Sequence, residues 1–144
     1  MKKYILTTLL VILIISPAVF AQSSGSFLIS SGLDVYKTDN TGIADKVQFG
    51  LEGNYFVTSN FTFTGGVDFW SQGPNSSIII GSRFYPIEPL FLRFRGLLRD
   101  NSDIALGAGY QVPISYRLRL EGMADYYMNQ RELGLRIGLA FLIN

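Results

Sequence analysis

The charged residues hold most of this chain's capacity for chemistry, and they are sorted. Asp34, Glu52, Asp68, Arg83, Arg93, Arg95, Arg99, Asp103, Arg117, Arg119, Glu121, Asp125, Glu132 and Arg136 share one parity of alternating segments, seven cations against seven anions. Such a set can do one of two things. It can neutralise itself as a salt-bridged plug, because charges withdrawn from water must be paired to be tolerated. It can instead line a constriction that selects ions along a narrow path. Catalysis has less to work with. With no His and no Cys in the chain, Ser30, Ser31, Ser76 and Ser77 lack a base to activate them. Glu121 and Asp125 share a strand face, but Arg117 and Arg119 lie beside them and point to structural pairing. The same two absences remove the usual ligands of zinc, copper and haem. The expectation is no enzyme, no catalytic residue, no metal and no cofactor.

Eight segments must position these charges: β1 at 26–37, β2 at 45–57, β3 at 61–71, β4 at 76–85, β5 at 90–99, β6 at 103–112, β7 at 116–127 and β8 at 131–143. In each, apolar side chains take alternate places, and a period of two gives a sheet two chemically different faces. One face carries Phe27, Ile29, Leu33 and Val35 in β1, and Ile78, Ile80 and Phe84 in β4. In β8 it carries Leu133, Leu135, Ile137, Leu139, Phe141 and Ile143. The opposite face interleaves the charges with Gly32, Gly50, Gly66, Gly81, Gly107, Gly109, Gly134 and Gly138. Turn-forming clusters such as Thr38-Asp39-Asn40-Thr41-Gly42 and Gln72-Gly73-Pro74-Asn75 separate the segments. Pro74, Pro86, Pro89 and Pro113 all fall in connections, as residues that cannot donate to a ladder should.

Each segment has about the length a tilted strand needs to cross a bilayer. The pattern predicts an all-β fold: an eight-stranded antiparallel up-and-down transmembrane β-barrel, apolar outside and polar within. Alternation alone also admits the reverse, a soluble lipocalin-like barrel around an apolar ligand. Three features favour the membrane barrel. The polar-face cations are arginines, suited to buried ion pairs, with Lys46 at the mouth of β2 counted as the one lysine. The glycines make room for long charged side chains in a narrow lumen. Apolar-face aromatics gather at one end, where Phe27, Tyr55, Phe61, Phe84, Tyr110, Tyr116 and Phe141 would form a periplasmic-side girdle. Phe69 and Tyr126 mark a sparser one opposite. Eight strands leave space only for their own side chains, which favours the plug over a low-conductance pore for ions or small solutes. Trp70, with lumen parity at the outer end of β3, reads as a lid. The outer connections, 38–44, 72–75, 100–102 and 128–130, are too short for the protruding loops of an adhesin.

At the N-terminus, Lys2 and Lys3 precede an apolar run from Tyr4 to Ile15, then Ser16-Pro17 and Val19-Phe20-Ala21. This layout predicts a cleavable signal peptide over 1–21 and a barrel domain over 22–144. Losing Lys2 and Lys3 takes the 12 basic residues to 10 against 11 acidic ones, a net charge of −1. Such a chain has no basic excess for nucleic acid. Signal, eight alternating strands, glycine-rich charged face and aromatic rim together resemble the small outer-membrane barrels of the OmpA/OmpX type. The stretches Gly50-Leu51-Glu52-Gly53-Asn54-Tyr55-Phe56 and Phe84-Tyr85-Pro86 have the look of that family. The resemblance covers the mature chain and implies residence in the outer membrane of a Gram-negative bacterium. It further implies outer-membrane lipid, lipopolysaccharide and the assembly machinery as partners, with a structural or interaction role. Such barrels usually end on an aromatic residue, whereas Phe141-Leu142-Ile143-Asn144 places one three positions earlier.

Overall fold

The computed structural model describes residues 23–38, 47–71, 76–99 and 102–144. Its strands are β1 (Phe27–Lys37), β2 (Gln48–Thr58), β3 (Phe61–Trp70), β4 (Ser76–Ile87), β5 (Leu90–Arg99), β6 (Asp103–Pro113), β7 (Leu118–Tyr127) and β8 (Glu132–Ile143). Each pairs antiparallel with its neighbours in sequence, and β1 pairs with β8 from Phe27↔Ile143 to Lys37↔Gly134, so the barrel is closed. The expected signal peptide, Lys46 and the connecting residues 39–46, 72–75 and 100–101 lie outside the described residues.

The two faces sort as the alternation requires. Ile80 is 59 % exposed on the outer wall, whereas Arg83, at the opposite parity of the same strand, is 2 % exposed in the lumen. A single-residue slip would reverse every such pair, so the register is fixed by burial. In β1 a departure from strict alternation moves side chains between the faces. The β1–β8 register shifts between Asp34 and Tyr36. This irregularity turns Tyr36 outward, leaves Val35 half-buried rather than on the outer face, and drives Lys37 into the lumen at 1 % exposure. An extra residue in a strand inverts the parity of every later position.

The lumen-facing glycines have two uses. Some are hollows for side chains: a Cβ at Gly32 would sit 2.7 Å from Arg136 Cδ, and one at Gly109 would meet the ring of Phe91. Others mark bends in the wall. A Cβ on Gly138 in β8 would strike the carbonyl oxygen of Ser31 in β1. Gly66, Gly81 and Gly107 stand in the same relation to the carbonyls of Leu51, Phe94 and Ala124 on the paired strands. An inward Cβ collides with the next strand only where the sheet is folded tightly toward the lumen. Four such contacts at alternate strand junctions give the barrel four glycine corners.

Candidate functional site: the charged lumen

Strand parity delivers the charged side chains to the barrel axis, where the lumen is built in three layers. Near the end bearing Phe27 and Ile143 lies an apolar cluster, in which Leu28, Phe56, Tyr85, Phe91, Met123, Ala140 and Leu142 pack together and Gln111 donates to the Tyr85 hydroxyl at 3.3 Å. Tyr85 lies between Phe56 and Phe91, with ring centroids 5.6 and 5.5 Å away. At the opposite end Trp70, Leu97, Ala105 and Tyr127 form a second apolar layer. Lys37 enters it with Nζ 3.9 Å from the Trp70 ring centre and 4.5 Å from that of Tyr127. A cation over an aromatic face is attracted by the ring quadrupole. Trp70 is therefore a buried lid.

The layer between is ionic, and Glu52 is its hub. One Oε accepts from Arg83 Nη2 at 2.9 Å, and the other lies 3.3 Å from Arg93, 3.1 Å from Arg95 and 3.6 Å from Arg136. Each arginine reaches onward. Arg83 donates to Glu121 at 2.9 Å, Arg93 Nε lies 3.0 Å from Asp125, and Arg95 contacts Asp68 and Asp125. Arg136 bridges Asp34 and Asp68. Lys37 extends the chain to Glu132 at 3.0 Å and to Gln48 at 2.8 Å, and Tyr127 donates to Asp34 at 3.0 Å. Toward the other end Arg119 donates to Gln111 at 2.9 Å, which donates to Glu121 at 2.7 Å. Guanidinium groups suit this arrangement because each presents several planar donors to several carboxylates.

Most of the residues expected in this network are in it, with three corrections and one addition. Asp34, Glu52, Asp68, Arg83, Arg93, Arg95, Arg119, Glu121, Asp125, Glu132 and Arg136 are buried in the lumen. Arg99 is exposed instead: its φ of 92° at the end of β5 turns it out of the alternation. Arg117 is exposed too, because the N–H groups of Ile114 and Ser115 both donate to Leu118 O. That tight turn delays β7 to Leu118 and leaves Tyr116 and Arg117 on the rim. Asp103 is buried but holds backbone, accepting from the N–H groups of Ile104 and Asn129 at 2.7 Å and Gln130 at 3.2 Å. With Lys37 added, six buried cations face six further carboxylates among the described residues, so the network is neutral.

Sequence reasoning also passed over the neutral donors and acceptors that complete the network: Gln48, Asn54, Thr64, Gln111 and Tyr127. Their signal was available, since all have lumen parity in their strands. Ser30 accepts from Arg83 at 2.9 Å and Asn54 at 2.8 Å, which is a structural use of that hydroxyl. Outside the strands, Glu88 in the β4–β5 turn lies in a tight notch with Pro89, Gln111, Pro113 and Arg119. Burial pushes its carboxyl above the ordinary range, against the pull of Arg119.

The expected girdle residues share the outer wall near the termini. Phe27 pairs with Tyr55, Phe61 with Phe84, and Leu118 with Phe141. Phe27, Tyr55, Phe84, Tyr116 and Phe141 are exposed there, and Phe61 and Tyr110 are half-exposed.

Among solved structures, a de novo designed transmembrane β-barrel superimposes with a TM-score of 0.67 at 20% identity, over 85% of this chain and 98% of that one. This chain has the fold of a transmembrane β-barrel. A second designed barrel, solved by solution NMR, gives 0.64 at 17% identity, over 87% and 99% of the two chains. Ail, the attachment invasion locus protein of Yersinia pestis, gives 0.49 at 13% identity, over 83% and 97%. No protein-family model and no curated protein sequence matches the chain.

Proposed function

We propose that this protein is a non-catalytic outer-membrane β-barrel whose lumen is a structural plug, and that it acts in the envelope through its lipid-facing wall and its rims. The observation that carries this reading is the inverted distribution of side chains. Soluble monomers rarely expose a contiguous apolar patch larger than a few hundred Å². Here the outward positions of all eight strands are occupied largely by exposed Leu, Ile, Val, Phe and Tyr, while most arginines and carboxylates of the strands are buried. That wall matches hydrocarbon, and the aromatic row near the termini matches a headgroup boundary. A lipocalin-like barrel would need an apolar cavity, whereas this lumen is filled with paired charge. Against the pore reading, an apolar cluster of buried side chains lies on each side of the ionic layer among the described residues.

The test is fractionation of expressing cells and then gel electrophoresis in SDS with and without boiling. The expected result is a detergent-extracted membrane protein whose unboiled form migrates faster, as a closed barrel that resists SDS does. Recovery as a soluble protein without any shift would overturn the reading.

A further inference from the structure

The corners of the wall have a counterpart on its outer surface. Where β1 crosses β8 at Gly32↔Gly138, the inner side is crowded: a Cβ at Gly138 would lie 3.3 Å from Gly32 Cα, besides striking Ser31 O. A sheet compressed on its concave side spreads the side chains on its convex side. Between the spread side chains lies an open groove of ≈ 330 Å³ running across β2, β1, β8 and β7. Phe49, Leu33, Ile137, Leu139 and Leu120 wall it, and Ser31 lies in its floor. Ser31 is the small residue that opens it, because both its register neighbours, Leu51 and Leu139, are leucines. Its hydroxyl is turned onto the Leu139 carbonyl at 3.4 Å, so the groove presents no side-chain polar group in search of a partner.

We propose that this groove is a binding site for one acyl chain of a membrane lipid, placed over the seam that closes the barrel. The proposal rests on the barrel being membrane-embedded. Three observations favour a hydrocarbon chain over a protein. The groove lies midway along β1, between Phe27 at one end and Lys37 at the other, which is hydrocarbon depth in an embedded barrel. Eight residues line it, far fewer than the ~20–30 a side and ~1,200 Å² or more of a stable protein interface. And two convex barrel walls touch along a line, leaving a groove empty that a flexible chain can enter.

The experiment places the full-length protein in nanodiscs that contain a phospholipid with a photoreactive diazirine on its acyl chain, and maps the cross-links after irradiation. Leu33, Ile137 and Leu139 should be labelled several-fold more than Ile80 and Leu106 elsewhere on the wall. Ser31→Leu should abolish the excess while the heat-dependent gel shift persists, and Ser31→Ala, which leaves the groove open, should retain it. Equal labelling around the wall would overturn the site but leave the embedded barrel intact. Labelling of Leu33, Ile137 and Leu139 below the rest of the wall, seen only with two copies in each nanodisc, would put a second copy on the groove and would also overturn it. Absence of lipid labelling at every wall position would mean that the membrane reading had failed as well.

Discussion

Glu52 shows what a single lumen residue contributes. Four guanidinium groups lie within 3.6 Å of its carboxylate, and the side chain is 4 % exposed. A buried pair is weak evidence of stability when both partners are present, yet removing one partner leaves a buried charge without compensation. Glu52→Gln keeps the shape and deletes the charge, so it should lower the unfolding free energy by about 3–5 kcal/mol. A shift of the urea midpoint in detergent micelles would report it; an unchanged midpoint would mean that the arginines are satisfied without Glu52. At this scale the sequence was legible where alternation held. Glu52 and Arg83 could be put inside from parity alone. Lys37, Arg99 and Arg117 could not, because a register shift, a positive φ and a tight turn each move a side chain without changing the apolar pattern around it.

Strands are specified by alternation, but the bends between them are specified by glycine. All eight strands were legible from the sequence, with β7 starting late because Tyr116 and Arg117 belong to the turn. The corners were not, since an inward glycine that hosts an arginine and one that folds the wall look alike in sequence. Gly81 and Gly65 separate the two sides of the wall. A Cβ on Gly81 would strike the Phe94 carbonyl, which belongs to the paired strand and cannot rotate away. A Cβ on outward-facing Gly65 would meet nothing within 4 Å. Gly81→Val should therefore cost about 1–3 kcal/mol through overpacking, and Gly65→Val should be close to neutral because valine suits an exposed strand position. Folding yield and urea titration of the two variants in the same detergent would check this; equal losses would mean that the corner tolerates a side chain.

Considered as a whole, the barrel encloses a column of side chains in three stacked layers. Conduction would require an ion to pass Phe56, Tyr85 and Phe91, then a neutral lattice of ion pairs, then Trp70, Leu97 and Tyr127 with the Lys37 ammonium among them. The first and last layers offer little polar lining to replace a hydration shell, and the middle one already pairs its carboxylates with fixed cations. The layers touch, with Arg83 5.0 Å from the Phe91 ring centre and Tyr127 donating to Asp34, but each sits at its own level of the lumen, so opening one leaves two. Purified protein reconstituted in a planar bilayer should therefore show no discrete conductance steps. Phe91→Ala should be less stable by about 3–5 kcal/mol, the usual cost of emptying an aromatic site, and should still be silent, because the Glu52 lattice stands behind the cavity it creates. Steps in the unaltered protein would restore the pore reading. Steps that appear only in Phe91→Ala would show that the aromatic layer, and not the ion pairs, is the seal. Silence in both is the result expected of a lumen built to hold the wall together, as the proposed plug requires.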